Sequence, residues 1–175
     1  MNSTTWTSFL NLENSVYSQI EMEQTKVLKK FVDECVGVLF VAGNGGSGAN
    51  ASHFCEDFFK NKGKQTSCLG IDPQFVTMIA NDYSFSDIYK KDLERQARRV
   101  LRDDRLLVMT TSGRSQNILY ALEWAQQKGM ASFAMVGSET AKVKKYTQGI
   151  LSVNSSHPGT VENAHMLLLH WLVYA

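Results

Sequence analysis

The sequence predicts an α/β fold, in which a parallel sheet of five strands is covered by helices on both faces. Near-continuous apolar runs are typical of parallel strands that are buried on both sides. Patterns with helical spacing alternate with those runs, which favours a doubly wound sheet with right-handed crossovers. The length of 175 residues fits one domain, residues 1–175, and no internal repeat or interdomain linker is found in the sequence.

Each element follows from its own stretch of sequence. A helix is expected first, over about Asn11 to Glu34, packed on the sheet or against another subunit. Apolar runs predict five strands, of which the last is the shortest: Val36–Gly43, Thr66–Ile71, Arg105–Thr111, Met130–Gly137 and Gly149–Val153. Helical spacing predicts four further helices: Ser47–Lys60, Phe85–Leu101, Ser115–Lys128 and Thr160–Tyr174. Gly129 is expected to end the third of these four, and Pro73 and Pro158 are expected in loops.

Composition and charge exclude several classes of function. With 43% hydrophobic residues, 20% charged residues and a net charge of +1, the chain has no overall attraction to nucleic acid or to an anionic membrane. The start of the chain lacks a signal-peptide pattern, and no apolar run reaches the roughly 18 residues that span a bilayer. Three scattered cysteines, Cys35, Cys55 and Cys68, suggest reduced thiols and a cytoplasmic location. A local basic cluster is expected to form a solvated helix face or a subunit contact: Arg95, Arg98, Arg99, Arg102 and Arg105.

Two loops that follow predicted strands have chemistry suited to a phosphate group. "GNGGS", Gly43 to Ser47, offers glycines for close backbone approach and the N–H groups of a helix start. "TTSGRS", Thr110 to Ser115, adds four hydroxyls around one glycine. In a flavodoxin-like strand order of 2-1-3-4-5 the two loops face one crevice at the carboxyl ends of the strands. The alternative is that both loops only begin helices, since Ser47 and Ser115 are good capping residues.

Neither loop matches a nucleotide-binding fingerprint. "GNGGSG" lacks the spacing of G-x-G-x-x-G, and the Lys-Ser/Thr pair of a P-loop is absent. No acidic residue ends the second strand as a ribose-binding acid would, although Asp72 is near. A dinucleotide is therefore not the expected ligand.

Four segments together resemble the sugar isomerase (SIS) family, and within it the phosphoheptose isomerases: "GNGGSGANASHFCEDF", "IANDYSFSDIY", "LLVMTTSGRSQNILYALEWAQQKGM" and "ENAHMLLLH". The resemblance runs from about Val36 to His170. It implies a single SIS-type domain that interconverts sedoheptulose 7-phosphate and D-glycero-D-manno-heptose 7-phosphate in heptose and surface-polysaccharide biosynthesis. It also implies a homotetramer with shared active sites, and some members of the family bind zinc there.

The resemblance assigns roles to individual residues by position. The phosphate and sugar ligands that it implies lie in the two loops and near the chain end: Asn44, Gly45, Gly46, Ser47, Asp82, Thr110, Thr111, Ser112, Ser115 and Glu162. The acid–base pair falls on Asp57 and His170. The metal positions of the family fall on His53, Asp57, Glu162 and His170.

Helical spacing is compatible with one shared site for these residues. His53 and Asp57 are four residues apart and lie on one face of a helix, and His170 follows Glu162 by two turns on roughly the same side. Isomerisation through an enediol needs a base, an acid and stabilisation of an oxyanion, and carboxylates and imidazoles also bind zinc. The alternative is that the helix dipole alone favours an acid near a helix start and that His170 is a core residue. His165 and His157 have no assigned role.

This chain departs from the family pattern at several positions near the expected site. Asp57 replaces a glutamate and is shorter by one methylene, and Glu162 stands where many members have glutamine. Gly159 replaces an acidic residue, and Arg114 replaces a common asparagine, where it could add a phosphate contact.

Two other functions compete with phosphoheptose isomerisation. One is a non-catalytic SIS-domain protein that binds a sugar phosphate or associates with a replication initiator. The other is an isomerase for a different ketose phosphate, for which the residues at 159 and 162 leave room. The chain keeps Glu56 and Asp57 together with His53 and His170, which favours an enzyme.

Overall fold

The computed structural model describes residues 5–97 and 103–175. Seven α-helices occur in these ranges: α1 (Trp6–Tyr17), α2 (Met22–Asp33), α3 (Gly45–Lys62), α4 (Pro73–Asp82), α5 (Ile88–Gln96), α6 (Gln116–Gln127) and α7 (Pro158–Tyr174). Five strands alternate with them: β1 (Leu39–Gly43), β2 (Thr66–Cys68), β3 (Arg105–Thr110), β4 (Ala131–Val136) and β5 (Gly149–Ser152). Two 3-10 turns, Phe85–Asp87 and Val143–Lys145, precede α5 and β5. All five predicted strands are confirmed.

The five strands form one parallel sheet in the order β2-β1-β3-β4-β5. This is the flavodoxin-like order that the sequence predicted. The register places Gly43 at the end of β1 beside Met109 near the end of β3. The loops that follow these two strands therefore leave the sheet side by side, as expected for a ligand site at a switch in strand order.

Alternate side chains along the strands feed two separate cores. Leu107 faces a core that α1, α2, α3 and α7 cover, with Phe54 and Leu168 among its members. Val108 faces a second core that α4, α5 and α6 cover, with Leu93 among its members. Burial on both faces explains why the strands read as unbroken apolar runs.

The N-terminal segment was predicted as one helix, and this is wrong: it forms α1 and α2, with a break at residues 18–21. A continuous helix over 11–34 would run about 36 Å in a straight line. The break lets α1 place Val16 and α2 place Leu28 against the same core. Two shorter helices thus cover the same face of the sheet.

The two prolines were expected in loops, and both instead begin helices. Pro73 opens α4, which the sequence analysis missed, and Pro158 opens α7 two residues before the predicted start. The first turn of a helix does not need the proline N–H. The carboxylate of Asp72 caps α4 by accepting a hydrogen bond from the Phe75 N–H at 3.1 Å. An Asp-Pro pair was the signal for this helix.

Some of the predictions concern residues that lie outside the described ranges. The predicted helix 85–101 is observed as a 3-10 turn and α5, while its end at Leu101 lies outside the described residues. The same holds for Arg98, Arg99 and Arg102. Arg95 instead contacts Asp92 on its own helix, and all three cysteines are buried and free. No described helix is long and apolar enough to cross a membrane.

Candidate active site

The two predicted phosphate loops lead into helices whose N-termini are not capped by side chains. Asn44 is the N-cap of α3, and Ser115 is the N-cap of α6, but neither side chain accepts a hydrogen bond from the first turn. Ser47, expected as a capping residue, is instead the third residue of α3. Gly45 adopts a φ of +54°, which favours glycine. In the first turn of α6 the Ile118 N–H donates to Asn117 Oδ1 at 3.0 Å. No N-cap side chain occupies the other first-turn N–H groups of the two helices, and these can bind one anion.

Thr110 ends β3, the strand that leads into the second loop. Its side chain is buried, at 4% exposure, and its hydroxyl has no hydrogen-bond partner among the residues that the structure describes. A buried hydroxyl without a partner costs about 1–3 kcal/mol. A bound oxyanion would supply the missing partner, so Thr110 supports an anion site at this edge of the sheet.

A network of amides joins the starts of the two helices. Asn44 Nδ2 donates to Asn117 Oδ1 at 2.9 Å, and Asn117 Nδ2 donates to Asn44 Oδ1 at 2.8 Å. The hydroxyl of Tyr89, on α5, donates to Asn44 Oδ1 at 3.1 Å and also contacts the Gly43 carbonyl. Burial, together with the nearby Cys68 thiol, raises the pKa of Tyr89 to about 12, so the hydroxyl remains a donor. The sequence analysis assigned neither Asn117 nor Tyr89.

The second loop forms a tight turn. Ser112 Oγ accepts a hydrogen bond from the Arg114 N–H at 3.2 Å, and Gly113 adopts a φ of +61°. The Arg114 guanidinium pairs with the Glu139 carboxylate at 3.2 Å, on the exposed side of the loop. A crevice of about 270 Å³ opens beside it, lined in part by Thr111 and Ser112. In this conformation Arg114 is therefore engaged by Glu139.

Glu162 lies against the first loop. Its carboxylate sits directly over Gly46, where a Cβ atom would overlap it, so a larger residue at this position would displace the Glu162 side chain. Asn50 Nδ2 donates to the Glu162 carbonyl oxygen at 2.8 Å and ties α3 to α7. The carboxylate thus belongs to the glycine loop, beside the expected anion.

A second group of side chains converges farther along α3 and α7. His53 Nε2 lies 3.1 Å from His170 Nε2 and 3.3 Å from Asp57 Oδ2. The Tyr174 hydroxyl donates to the same Asp57 oxygen at 3.3 Å. The predicted acid–base residues, Asp57 and His170, therefore share one cluster with His53. Tyr174 is a member that the sequence analysis missed.

The donor set of this cluster fits a divalent metal ion. One ligand atom each from His53, Asp57 and His170 lies within 4.8 Å of the other two. Ligand atoms about 2.0–2.1 Å from a tetrahedral zinc ion are separated by about 3.3 Å. The observed separations of 3.1 and 3.3 Å are close to this value. Glu162, the fourth predicted metal ligand, is not in the group.

Three other titratable side chains stand apart from this cluster. Asp82 is exposed at the end of α4 and accepts a hydrogen bond from Asn81. Among the described residues, no hydrogen bond joins Asp82 to either phosphate loop. His165 is fully buried, and burial lowers its pKa to about 4, so it is a neutral core residue. His157 is the N-cap of α7 and accepts from the Thr160 N–H.

Comparison with known proteins gives consistent matches. The sequence model of the SIS domain matches residues 9–137. The chain is 30% identical over 141 residues to the phosphoheptose isomerase of Helicobacter pylori (strain HPAG1), over 78% of this chain and 72% of that protein. It is 32% identical over 143 residues to the phosphoheptose isomerase of Syntrophotalea carbinolica, over 78% and 70%. A solved phosphoheptose isomerase from Francisella tularensis superposes with a TM-score of 0.86 at 28% identity, over 95% of this chain and 93% of that one.

Proposed function

The chain belongs to the SIS domain family, and we propose that it is a sugar-phosphate isomerase that interconverts sedoheptulose 7-phosphate and D-glycero-D-manno-heptose 7-phosphate. The names of its relatives support a phosphoheptose as the substrate. We also propose the role in heptose and surface-polysaccharide biosynthesis that the family resemblance implies. The observation that carries the proposal is the buried, unpartnered hydroxyl of Thr110 at the start of a loop between two uncapped helix N-termini. It supports a phosphate group held without a metal ion.

The distance between the two parts of the site suits a sugar phosphate. Along α3, His53 lies about 10 Å beyond Gly46 at 1.5 Å per residue. This is comparable with the length of an extended heptose chain between its phosphate and its carbonyl end. A phosphate on the glycine loop therefore directs the reacting carbons toward His53 and His170.

In the proposed reaction, Asp57 and His170 move protons at the reacting carbons. Asp57 takes the proton from C1 of the ketose while His170 gives a proton to the carbonyl oxygen at C2, which yields the enediol. His170 then takes the proton from the oxygen on C1 while Asp57 delivers its proton to C2, which completes the aldose and restores both side chains. Tyr174 holds the Asp57 carboxylate through its hydroxyl, at 3.3 Å.

We propose that zinc, if bound, is held by His53, Asp57 and His170, the three residues whose donor atoms fit it. It would supply Lewis-acid stabilisation of the developing oxyanion. It would also occupy the Asp57 and His170 atoms assigned to proton transfer, so these two residues transfer protons in the metal-free enzyme.

The assembly and location are also proposals. Large apolar side chains are exposed on α1 and α7, including Trp6 at 71%, Leu167 at 54% and Trp171 at 37%. Exposed apolar side chains of this size support contact with further copies, and we propose the homotetramer of the family. Three free, buried cysteines support a cytoplasmic location. Light scattering of the purified protein would measure the assembly.

The proposed function is tested by following sedoheptulose 7-phosphate with NMR spectroscopy, with and without added zinc. The wild type should form the aldose. His170→Ala should lose turnover by about a hundredfold or more but still bind inorganic phosphate, because His170 lies outside the phosphate loops. A wild-type preparation that binds the sugar phosphate and never converts it would contradict the proposal. Capture of a replication initiator by such a preparation would favour the non-catalytic alternative. Turnover of another ketose phosphate, without turnover of sedoheptulose 7-phosphate, would show that the enzyme isomerises a different sugar.

A further inference from the structure

The side chain of Asn44 faces away from the helix that it begins. An N-cap asparagine ordinarily accepts a hydrogen bond from the second or third N–H group of its helix. In α3 that bond is absent, and the Asn44 amide instead exchanges two hydrogen bonds with the Asn117 amide, at 2.9 and 2.8 Å. The N–H groups of the first turn of α3 are therefore not occupied by their own cap.

The partners of Asn44 are buried and come from two other elements. Asn117 is 2% exposed in the first turn of α6, and Tyr89 is 6% exposed on α5. Asn44 Oδ1 accepts from the Asn117 amide. It also lies 3.1 Å from the Tyr89 hydroxyl, whose one hydrogen is shared with the nearer Gly43 carbonyl. Buried amides are costly unless they are paired, so each side chain holds the others in this arrangement.

We propose that Asn117 and Tyr89 are positioning residues, which hold the Asn44 amide away from the α3 N-terminus and so keep its first-turn N–H groups free for the phosphate. Asn117 also fixes the start of α6 against the start of α3, so that both helix N-termini point at one anion. The inference rests on the phosphate site of the proposed function. Asn117 and Tyr89, which lie outside the phosphate site, thus control the affinity of that site for phosphate.

Removal of Asn117 has a specific expected consequence. In Asn117→Ala the Asn44 side chain loses its partner and can turn to cap α3, where it competes with the anion. The dissociation constant for inorganic phosphate, measured by calorimetry, should rise about tenfold or more, the effect of one lost charge-assisted hydrogen bond. Tyr89→Phe keeps the ring and loses one hydroxyl, so its effect should have the same direction and a smaller size.

The double variant separates this mechanism from simple loss of structure. Asn44→Gly has no side chain that could cap α3, and glycine is itself an accepted N-cap. Asn117→Ala should therefore change phosphate affinity less than about threefold when it is added to Asn44→Gly. Asn154→Ala is the matched control, since it removes an amide–amide hydrogen bond of 2.8 Å, to Gln19, outside the loops. Its phosphate affinity should equal that of the wild type.

Kinetics give a second readout. Because the acid–base cluster lies elsewhere on α3, Asn117→Ala should raise the KM for the sugar phosphate and leave kcat nearly unchanged. Wild-type phosphate affinity in Asn117→Ala, or a loss that persists in the Asn44→Gly background, would overturn the inference alone. If Asn117→Ala does not fold, Tyr89→Phe is tested in its place: it should weaken phosphate binding in the wild-type background and not in Asn44→Gly. A wild type that binds no phosphate would overturn both the inference and the proposed function.

Discussion

Glu162 illustrates how a residue acquires its role from the position of its backbone. It stands on the same side of α7 as His170, and helical spacing therefore grouped the two residues in the sequence analysis. Eight residues of helix separate them by about 12 Å along the axis. Because of this separation the two residues reach different parts of α3: Glu162 covers Gly46, whereas His170 contacts His53.

Metal binding by variants tests this separation. We expect Glu162→Gln to bind Co²⁺, followed by its absorption spectrum, within about twofold of the wild type, since its carboxylate is not in the cluster. His53→Ala removes a ligand and should weaken binding by more than about tenfold. Equal losses of Co²⁺ affinity in the two variants would show that Glu162 is a metal ligand and would contradict its placement at the glycine loop.

The buried His165 makes stability depend on pH. The unfolded chain takes up a proton as the pH falls below about 6.5, while burial keeps the folded imidazole neutral until about pH 4. Protonation therefore favours the unfolded state, and stability is lost as the pH falls through that window. The loss begins near pH 6.5 and amounts to about 1.4 kcal/mol per pH unit below it, so it reaches about 2 kcal/mol at pH 5.

Urea unfolding at pH 7 and pH 5 measures this contribution. The wild type should lose about 2 kcal/mol more than His165→Gln between these pH values, because glutamine does not titrate. Gln127→Ala is the control, since Gln127 is exposed and does not titrate, and its loss should match that of the wild type. If His165→Gln loses as much stability as the wild type between pH 7 and pH 5, His165 is not the cause of the pH dependence.

Among the elements, α1 is attached to α7 by a buried carboxylate. Glu13 is 3% exposed and accepts hydrogen bonds from Thr160 Oγ1 at 2.5 Å, from Asn163 Nδ2 at 3.2 Å and from the Tyr17 hydroxyl. Burial alone would raise the pKa of Glu13, but these hydrogen bonds and the nearby His157 outweigh it and lower the pKa. The stabilisation is therefore present above about pH 4.5 and is lost as the pH falls through the lower folded pKa.

Truncation of this side chain should detach α1 from the start of α7. We expect Glu13→Ala to lower the free energy of unfolding at pH 7 by about 3 kcal/mol, because it leaves buried donors without an acceptor. Glu23→Ala is the matched control on α2, where an exposed ion pair with Lys26 should contribute less than about 0.5 kcal/mol. The two variants should be compared in denaturant unfolding, and similar losses would contradict the role of Glu13.

The elements differ in how far the sequence could predict them. The strands were predictable because burial on both faces leaves a continuous apolar run, and Gly129, with a φ of +71°, ends α6 as expected. The break between α1 and α2 was not, since it depends on how Val16 and Leu28 pack against the same core. Helix α4 was missed because Pro73 was assigned to a loop, although it suits a first helical turn.

For the whole molecule, strand order determines which loops meet. Alternating strands and helices predicted a doubly wound parallel sheet. The two phosphate loops were expected to meet if its strand order was flavodoxin-like, and the observed order β2-β1-β3-β4-β5 meets this condition. The motifs also predicted membership of the SIS family, which the comparisons confirm. The contacts of Asn117 could not be predicted, because no motif linked its amide to Asn44, 73 positions away. The contact of Glu162 with Gly46 also needed the structure, since helical spacing grouped Glu162 with His170. That residues 1–175 form a single domain stays a prediction.

A crystal structure of the protein soaked with sedoheptulose 7-phosphate tests the central claim most directly. The phosphate should lie between the first turns of α3 and α6, within hydrogen-bond distance of Thr110 Oγ1, with the carbonyl end of the sugar directed toward His53 and His170. A sugar phosphate whose phosphate group is bound elsewhere, with both helix N-termini left free, would contradict the claim.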